Sequence, residues 1–262
     1  MGPFYGQENR KFLSSIHAPP TISLHRVFTK VSKPNILPIN CDLRPLMGPT
    51  FEVYNQGGLG SCTANAIAHA YKIMTRLKYN RDVSISRLFV YYNERAMIGK
   101  VHEDSGAFIN HGFLSMQSQG SCLEKYWPYI ESRFTFMPPQ VCYNEARLHR
   151  TYNSQIASDQ VQSIKRALVS KLPVVIGIMI YASFMTDEVG KTGIVPHPNP
   201  ATERFIGGHA LCYIGYDDNK QSFIVLNSWG SIWGDKGVCT YLIRILVMLR
   251  YVMIVLHFLM LN

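Results

Sequence analysis

Gln56-Gly57-Gly58-Leu59-Gly60-Ser61-Cys62 delivers a thiol at the end of a glycine-rich loop. Thr63-Ala64-Asn65-Ala66-Ile67-Ala68-His69-Ala70 follows at once with small helix formers. Ala66, Ile67, Ala70, Ile73, Met74 and Leu77 recur at helical spacing, so a buried amphipathic helix is predicted to start near Cys62. At a helix N-terminus the macrodipole and free N–H groups favour an anion, which lowers a thiol's pKa and suits it to nucleophilic catalysis. Gln56, just upstream, is placed to aim its amide at charge developing on a carbonyl oxygen beside the sulfur. A lone cysteine is more often inert and buried; what weighs against that here lies far downstream.

Gly207-Gly208-His209-Ala210 opens a strand-like run through Tyr216, Asp217 to Lys220 carries a turn signal, and Ser222 to Asn227 reads as the return strand. A hairpin turning at Asp218 sets His209 directly opposite Asn227. An Asn side chain beside a His can hold the ring's tautomer and orientation, as a triad requires.

Gln56 with Gly-Ser-Cys62, then Gly-His209-Ala, then Asn227-Ser-Trp-Gly-Ser-Ile-Trp-Gly resembles the papain-like cysteine peptidases. The spacing agrees: such enzymes carry the His and Asn roughly 130–150 residues beyond the Cys, and Asn227 lies slightly further. The resemblance runs from about Pro38 to Gly237. It is nearest to the branch written Leu-Gly-Ser-Cys-Thr-Ala-Asn-Ala, known from bacteria, protists and large viruses. Two positions depart from the wider pattern: Leu59 stands where a disulfide cysteine would, and Thr63 where an aromatic would.

The resemblance implies an α+β, two-lobe fold. A helical N-terminal lobe over about 41–150 and a β-rich lobe over about 151–241 would face each other across the active-site cleft. It implies Cys62, His209, Asn227 and Gln56 as catalytic residues, and Ser105, Gly106, Gly208 and Trp229 as substrate-binding residues, with Trp229 shielding the His209–Asn227 bond. It implies no metal and no organic cofactor, a reducing environment, and protein or peptide substrates. Nothing like a two-histidine occluding loop is visible, which favours endopeptidase over dipeptide-releasing activity. Residues 1–36 are basic and Pro-punctuated; they read either as a disordered leader or as a short propeptide cleaved between Lys33 and Asn40.

The chain has 262 residues, enough for one large domain or two small lobes around a cleft. The net charge of +9 comes from scattered Lys and Arg with no nucleic-acid motif, so no nucleic-acid partner is expected. A monomer is expected. Of the six cysteines, Cys122 and Cys142 flank one loop-rich stretch and are the expected pair. No Cys-x-x-Cys occurs, which argues against zinc. The N-terminus has no secretory h-region; a virion and a lysosome-like compartment both stay open.

The elements that must hold these residues follow the same order. Ser86 caps a predicted helix through Glu94. Glu103-Asp104-Ser105-Gly106-Ala107 is a turn where Gly106 lets an extended peptide approach. Helices are predicted over Asn110–Gln119 and Val161–Lys171, a buried strand over Pro173–Ile180, and a core-packed aromatic turn at Tyr126–Tyr129.

Residues 242–262 form an anomalous hydrophobic tail. It is about long enough to span a bilayer, but Arg250 near its middle makes a poor anchor. A shifted reading frame is the other reading: read one base early, codons 238–255 accommodate Met-Tyr-Leu-Pro and Leu-Cys-Asn-Asp, words resembling the closing strand and end of this branch. The alternatives to a peptidase are a catalytically impaired homologue serving as a binding or structural module, and another Cys-His enzyme such as an amidase.

Overall fold

The computed structural model describes residues 36–155, 160–243 and 254–257, with 152–155, 160 and 254–257 described by backbone alone. In chain order the elements are β1 (Asn40–Asp42), α1 (Arg44–Met47), α2 (Cys62–Tyr79), α3 (Arg87–Ala96), α4 (Ile109–Ser118), α5 (Gln140–Ala146), β2 (Tyr152–Gln155), α6 (Gln160–Val169), β3 (Val174–Tyr181), α7 (Asp187–Thr192), β4 (Phe205–Asp217), β5 (Ser222–Leu226), β6 (Val238–Leu242) and β7 (Ile254–His257). Helices dominate the first half and an antiparallel sheet the second, as an α+β papain-like fold requires.

The helix α2 begins at Cys62, where the small-residue run predicts it. It is buried on every side from Cys62 to Thr75 rather than along one stripe. A helix enclosed all round is one that neighbouring elements wrap completely, and Ala64, Ala66, Ala68 and Ala70 allow them to approach closely. Its C-terminus closes on Asn80 in the left-handed conformation. Ser86 caps α3 as expected, its hydroxyl accepting from Phe89 N–H at 3.1 Å.

The sheet runs in the order β2-β7-β3-β4-β5-β6, with β1 also on β4. The strand β4 is its centre: its first half pairs with β3 and its second with β5. The β4–β5 register differs from the hairpin expected. Asp217, Tyr216 and Gly215 face Ser222, Phe223 and Ile224, whereas Tyr213 and Cys212 face Val225 and Leu226. Ile214 is therefore an extra residue, a β-bulge. Its carbonyl turns to accept Leu43 N–H at 2.9 Å, and β1 runs so close that a Cβ on Gly215 would stand 2.4 Å from the Cys41 carbonyl oxygen. Continued one residue, the shifted register sets Asn227 opposite Leu211, so His209 is its diagonal neighbour rather than its direct partner.

The stretch expected as a tail contributes to the sheet. Leu242 ends β6, Ile243 is buried, and β7 lies between β2 and β3, its Ile254 and Val255 pairing with Val175 and Val174. Residues 1–35, 244–253 and 258–262 lie outside the described residues, and with them most of the leader, span and frame readings. Among the described residues no helix is long and apolar enough to cross a membrane.

Two further expectations are corrected. Cys122 and Cys142 are both free thiols, hydrogen-bonded to each other in a small cluster with Phe89 and Ala146. The aromatic turn is core only in part: Trp127 and Tyr129 are half-buried against the core, whereas Tyr126 is exposed, and Tyr129 also reaches across to the loop before Cys62.

Candidate active site

The loop before Cys62 is tied down on every side. Gln56 N–H donates to the Ser228 carbonyl at 2.9 Å, and Ser228 Oγ donates back to Gln56 Oε1 at 2.7 Å. Gln56 Nε2 donates to the Leu59 carbonyl at 2.9 Å. Tyr129 OH bonds the Gln56 carbonyl at 2.8 Å and meets Ser61 Oγ at 2.5 Å. Glu131 accepts Gly58 N–H, and Asp104 accepts Gly60 N–H, both at 3.0 Å. Behind the loop, His69 Nε2 accepts Tyr54 N–H at 2.9 Å, with its ring stacked on Tyr54 at 4.4 Å. That bond leaves the proton on Nδ1.

Cys62 opens α2 and is fully buried. Burial pushes its thiol up to about 12, against the backbone N–H groups of Ala210, Thr63 and Cys62 itself, which favour the thiolate. The expected lowering at the helix N-terminus is thus present but outweighed by desolvation. The Ala210 contact sets the sulfur against β4 beside His209.

His209 pairs across the sheet with Ile178 on β3 and is fully buried. Its Nε2–H donates to Asn227 Oδ1 at 2.8 Å. The same oxygen accepts Ser228 N–H at 2.8 Å, and Asn227 N–H donates to the Gly237 carbonyl at 2.9 Å. Two donors on Oδ1 define the amide's orientation and direct the ring's other nitrogen, Nδ1, away from Asn227. Trp229 covers this pair, its ring 5.1 Å from the imidazole, and is itself packed by Trp233 at 5.2 Å and Phe184 at 5.6 Å.

The remaining residues singled out in the sequence fall around this centre. Gly208 is buried in β4 immediately before His209. Gly106 has φ +70°, a conformation that suits glycine, and a Cβ on Gly60 would stand 3.3 Å from its N and Cα. Its N–H donates to Tyr91 OH at 3.2 Å, and that hydroxyl donates to Asp104 Oδ1 at 2.5 Å. Ser105 Oγ turns to the Gly106 carbonyl at 2.9 Å. Sequence reasoning missed Tyr91, Asp104, Tyr129, Glu131 and Ser228. Each acts through a contact distant in sequence, and only Ser228 had a local signal, its place between Asn227 and Trp229. Among the described residues no group of His, Cys, Asp and Glu could hold a metal ion.

A cysteine at a helix N-terminus, facing a His–Asn pair from a β-rich half, defines a cysteine protease of papain-like fold. A sequence model described as "Papain family cysteine protease" matches residues 37–245, and the chain belongs to that family. An uncharacterized peptidase C1-like protein of Acanthamoeba polyphaga mimivirus is 41% identical over 78% of this chain and 69% of its own. Cathepsin S of Bos taurus is 28% identical over 90% of this chain and 69% of its own. Among solved structures, xylellain, a cysteine protease from Xylella fastidiosa, superposes with a TM-score of 0.74 at 31% identity, covering 86% of this chain and 87% of that one.

Proposed function

We propose that the protein is a cysteine endopeptidase that cleaves peptide bonds through Cys62, His209 and Asn227 and an acyl-enzyme thioester. The observation that supports this most is the His209 Nε2–Asn227 Oδ1 bond on the strand whose Ala210 N–H meets the Cys62 sulfur. A thiol this buried does not ionise into water. It hands its proton to His209 Nδ1 instead, so that thiolate and imidazolium form as a pair. The thiolate attacks the scissile carbonyl. The oxyanion is taken by Cys62 N–H and by the Gln56 Nε2–H not engaged with Leu59; one such donor contributes about 3–4 kcal/mol. The imidazolium protonates the leaving amine, giving the thioester. Water then attacks, its proton passing to His209, and the acid is released with Cys62 reprotonated. An extended peptide would lie along Ser105 and Gly106, with Gly208 and Trp229 lining the side toward His209.

Full burial of both Cys62 and His209 favours a second reading alongside it: the full chain is latent, and cleavage between Lys33 and Asn40 precedes turnover. The test is hydrolysis of a fluorogenic dipeptide amide in reducing buffer at mildly acidic pH, wild type against Cys62→Ala. N-terminal sequencing accompanies any active form. Turnover that survives in Cys62→Ala refutes the nucleophile. Silence in the full chain and in a chain starting at Leu37 leaves a binding module as the better account.

A further inference from the structure

Behind Cys62 lies a carboxyl that the hydrolysis scheme does not use. Glu94, near the end of α3, is fully buried. Its Oε2 accepts the Thr63 hydroxyl at 2.8 Å, and Thr63 directly follows Cys62 in the first turn of α2. Its other oxygen, Oε1, has no hydrogen-bond partner among the described residues. The helix α4 presses on it at Gly112, where a Cβ would stand 2.3 Å from both Oε1 and Ile67 Cδ1.

The charged surroundings are sparse. From α2 come the Cys62 thiol and the Thr63 hydroxyl. From its own helix comes Arg95, whose guanidinium is committed to the carbonyls of Tyr91, Val101, Glu103 and Phe134. On α4 the neighbour of Gly112, His111, stands edge-on to Phe108 at 5.3 Å. A buried carboxyl without a cation favours its neutral form. Desolvation pushes Glu94 up to about 8, against the Thr63 bond and the field of Arg95. Its charge in turn acts on Cys62, raising the thiol. Thr63, standing where an aromatic would be in the wider family, supplies the hydroxyl that links the two.

We propose, on the reading of Cys62 as nucleophile, that Glu94 is a positioning residue acting on Cys62 through Thr63. As a neutral acid it anchors the first turn of α2 and keeps a buried like charge away from the thiolate. When it gives up its proton, the carboxylate repels the thiolate and the forming oxyanion, and activity falls on the alkaline side.

The test is the pH dependence of Cys62 alkylation by iodoacetamide in the full chain, followed on the Cys62 peptide by mass spectrometry, with the pH profile of kcat/KM in parallel. The rates, normalised to pH 6, should coincide below pH 7 for wild type and Glu94→Gln. At pH 9 Glu94→Gln should exceed wild type by about tenfold, because a carboxyl that keeps its proton to about 8 leaves only roughly a tenth of the wild type in the neutral form there. Thr63→Val removes a bond that favours the carboxylate, so it should move the divergence the same way and serves if Glu94→Gln does not fold. Superimposable profiles to pH 9.5, or no Cys62 alkylation at any pH, would overturn the proposal. Alkylation needs no turnover: the predicted divergence without peptide cleavage keeps Glu94 and discards the peptidase reading.

Discussion

His209 and Asn227 share one face of the sheet because Ile214 is an extra residue in β4. Without that bulge, the register of Asp217 with Ser222 would carry on unchanged, and Asn227 would stand opposite Cys212, on the face His209 does not use. A one-residue slip exchanges the two faces of a strand, and here the slip creates the 2.8 Å bond. Asn227→Ala should lower kcat roughly tenfold with little change in KM, as loss of one buried hydrogen bond of about 1.5 kcal/mol implies. Steady-state kinetics at the pH optimum checks this, and an unchanged kcat would show that the ring is oriented without Asn227.

Gln56 is held at both ends of its amide, by Leu59 and by Ser228. Gln56→Ala should reduce kcat by about 10²–10³ if its amide stabilises the oxyanion. Ser228→Ala, which only frees Oε1, should cost on the order of tenfold. The double variant should be no worse than Gln56→Ala alone, because both act on one group. Additive losses would contradict a shared role.

Asp104 joins the nucleophile loop to the Gly106 segment: its Oδ1 accepts from Gly60 N–H and from Tyr91 OH, which in turn accepts from Gly106 N–H. Leu59 removes the disulfide cysteine that this loop would otherwise carry, and the carboxylate makes a connection there by hydrogen bonds. Asp104→Ala should raise KM roughly tenfold through a displaced Gly106, with Asp104→Asn, which keeps an acceptor, recovering most of it. A drop confined to kcat would point to the nucleophile loop alone.

His69 is neutral in the fold: burial, with Arg87 and Lys72 nearby, holds its pKa well below the usual 6.5. The unfolded chain therefore binds a proton that the folded one refuses, and stability falls as pH drops below about 6.5. Glu94 works in the opposite sense, keeping its proton to about 8 against an ordinary 4.5, so its contribution is lost as pH rises between those values. Urea midpoints from pH 7.5 to 4.5 should fall less steeply in His69→Gln than in wild type. Parallel curves would mean that His69 titrates normally.

Much of the site was legible in the sequence because it rests on local patterns. A glycine-rich loop before small helix formers places Cys62 at the start of α2, and a turn signal between two apolar runs brings His209 and Asn227 into one hairpin. Gln56 was singled out by its place before the loop, and Trp229 by the resemblance to the papain-like peptidases.

What tertiary structure alone decided rests on contacts distant in sequence. The bulge at Ile214 depends on β1 lying against β4, and a register cannot be read from either strand by itself. The thiol's rise to about 12 reflects its full burial, with Ala210 of β4 against the sulfur, since desolvation depends on neighbours while a helix dipole depends only on the helix. Tyr91, Asp104, Tyr129, Glu131 and Glu94 carry no local signature: they are ordinary side chains until folding sets them against the nucleophile loop. The strand β7 shows the same limit, because an apolar run pairs with whichever sheet strands leave room, here β2 and β3.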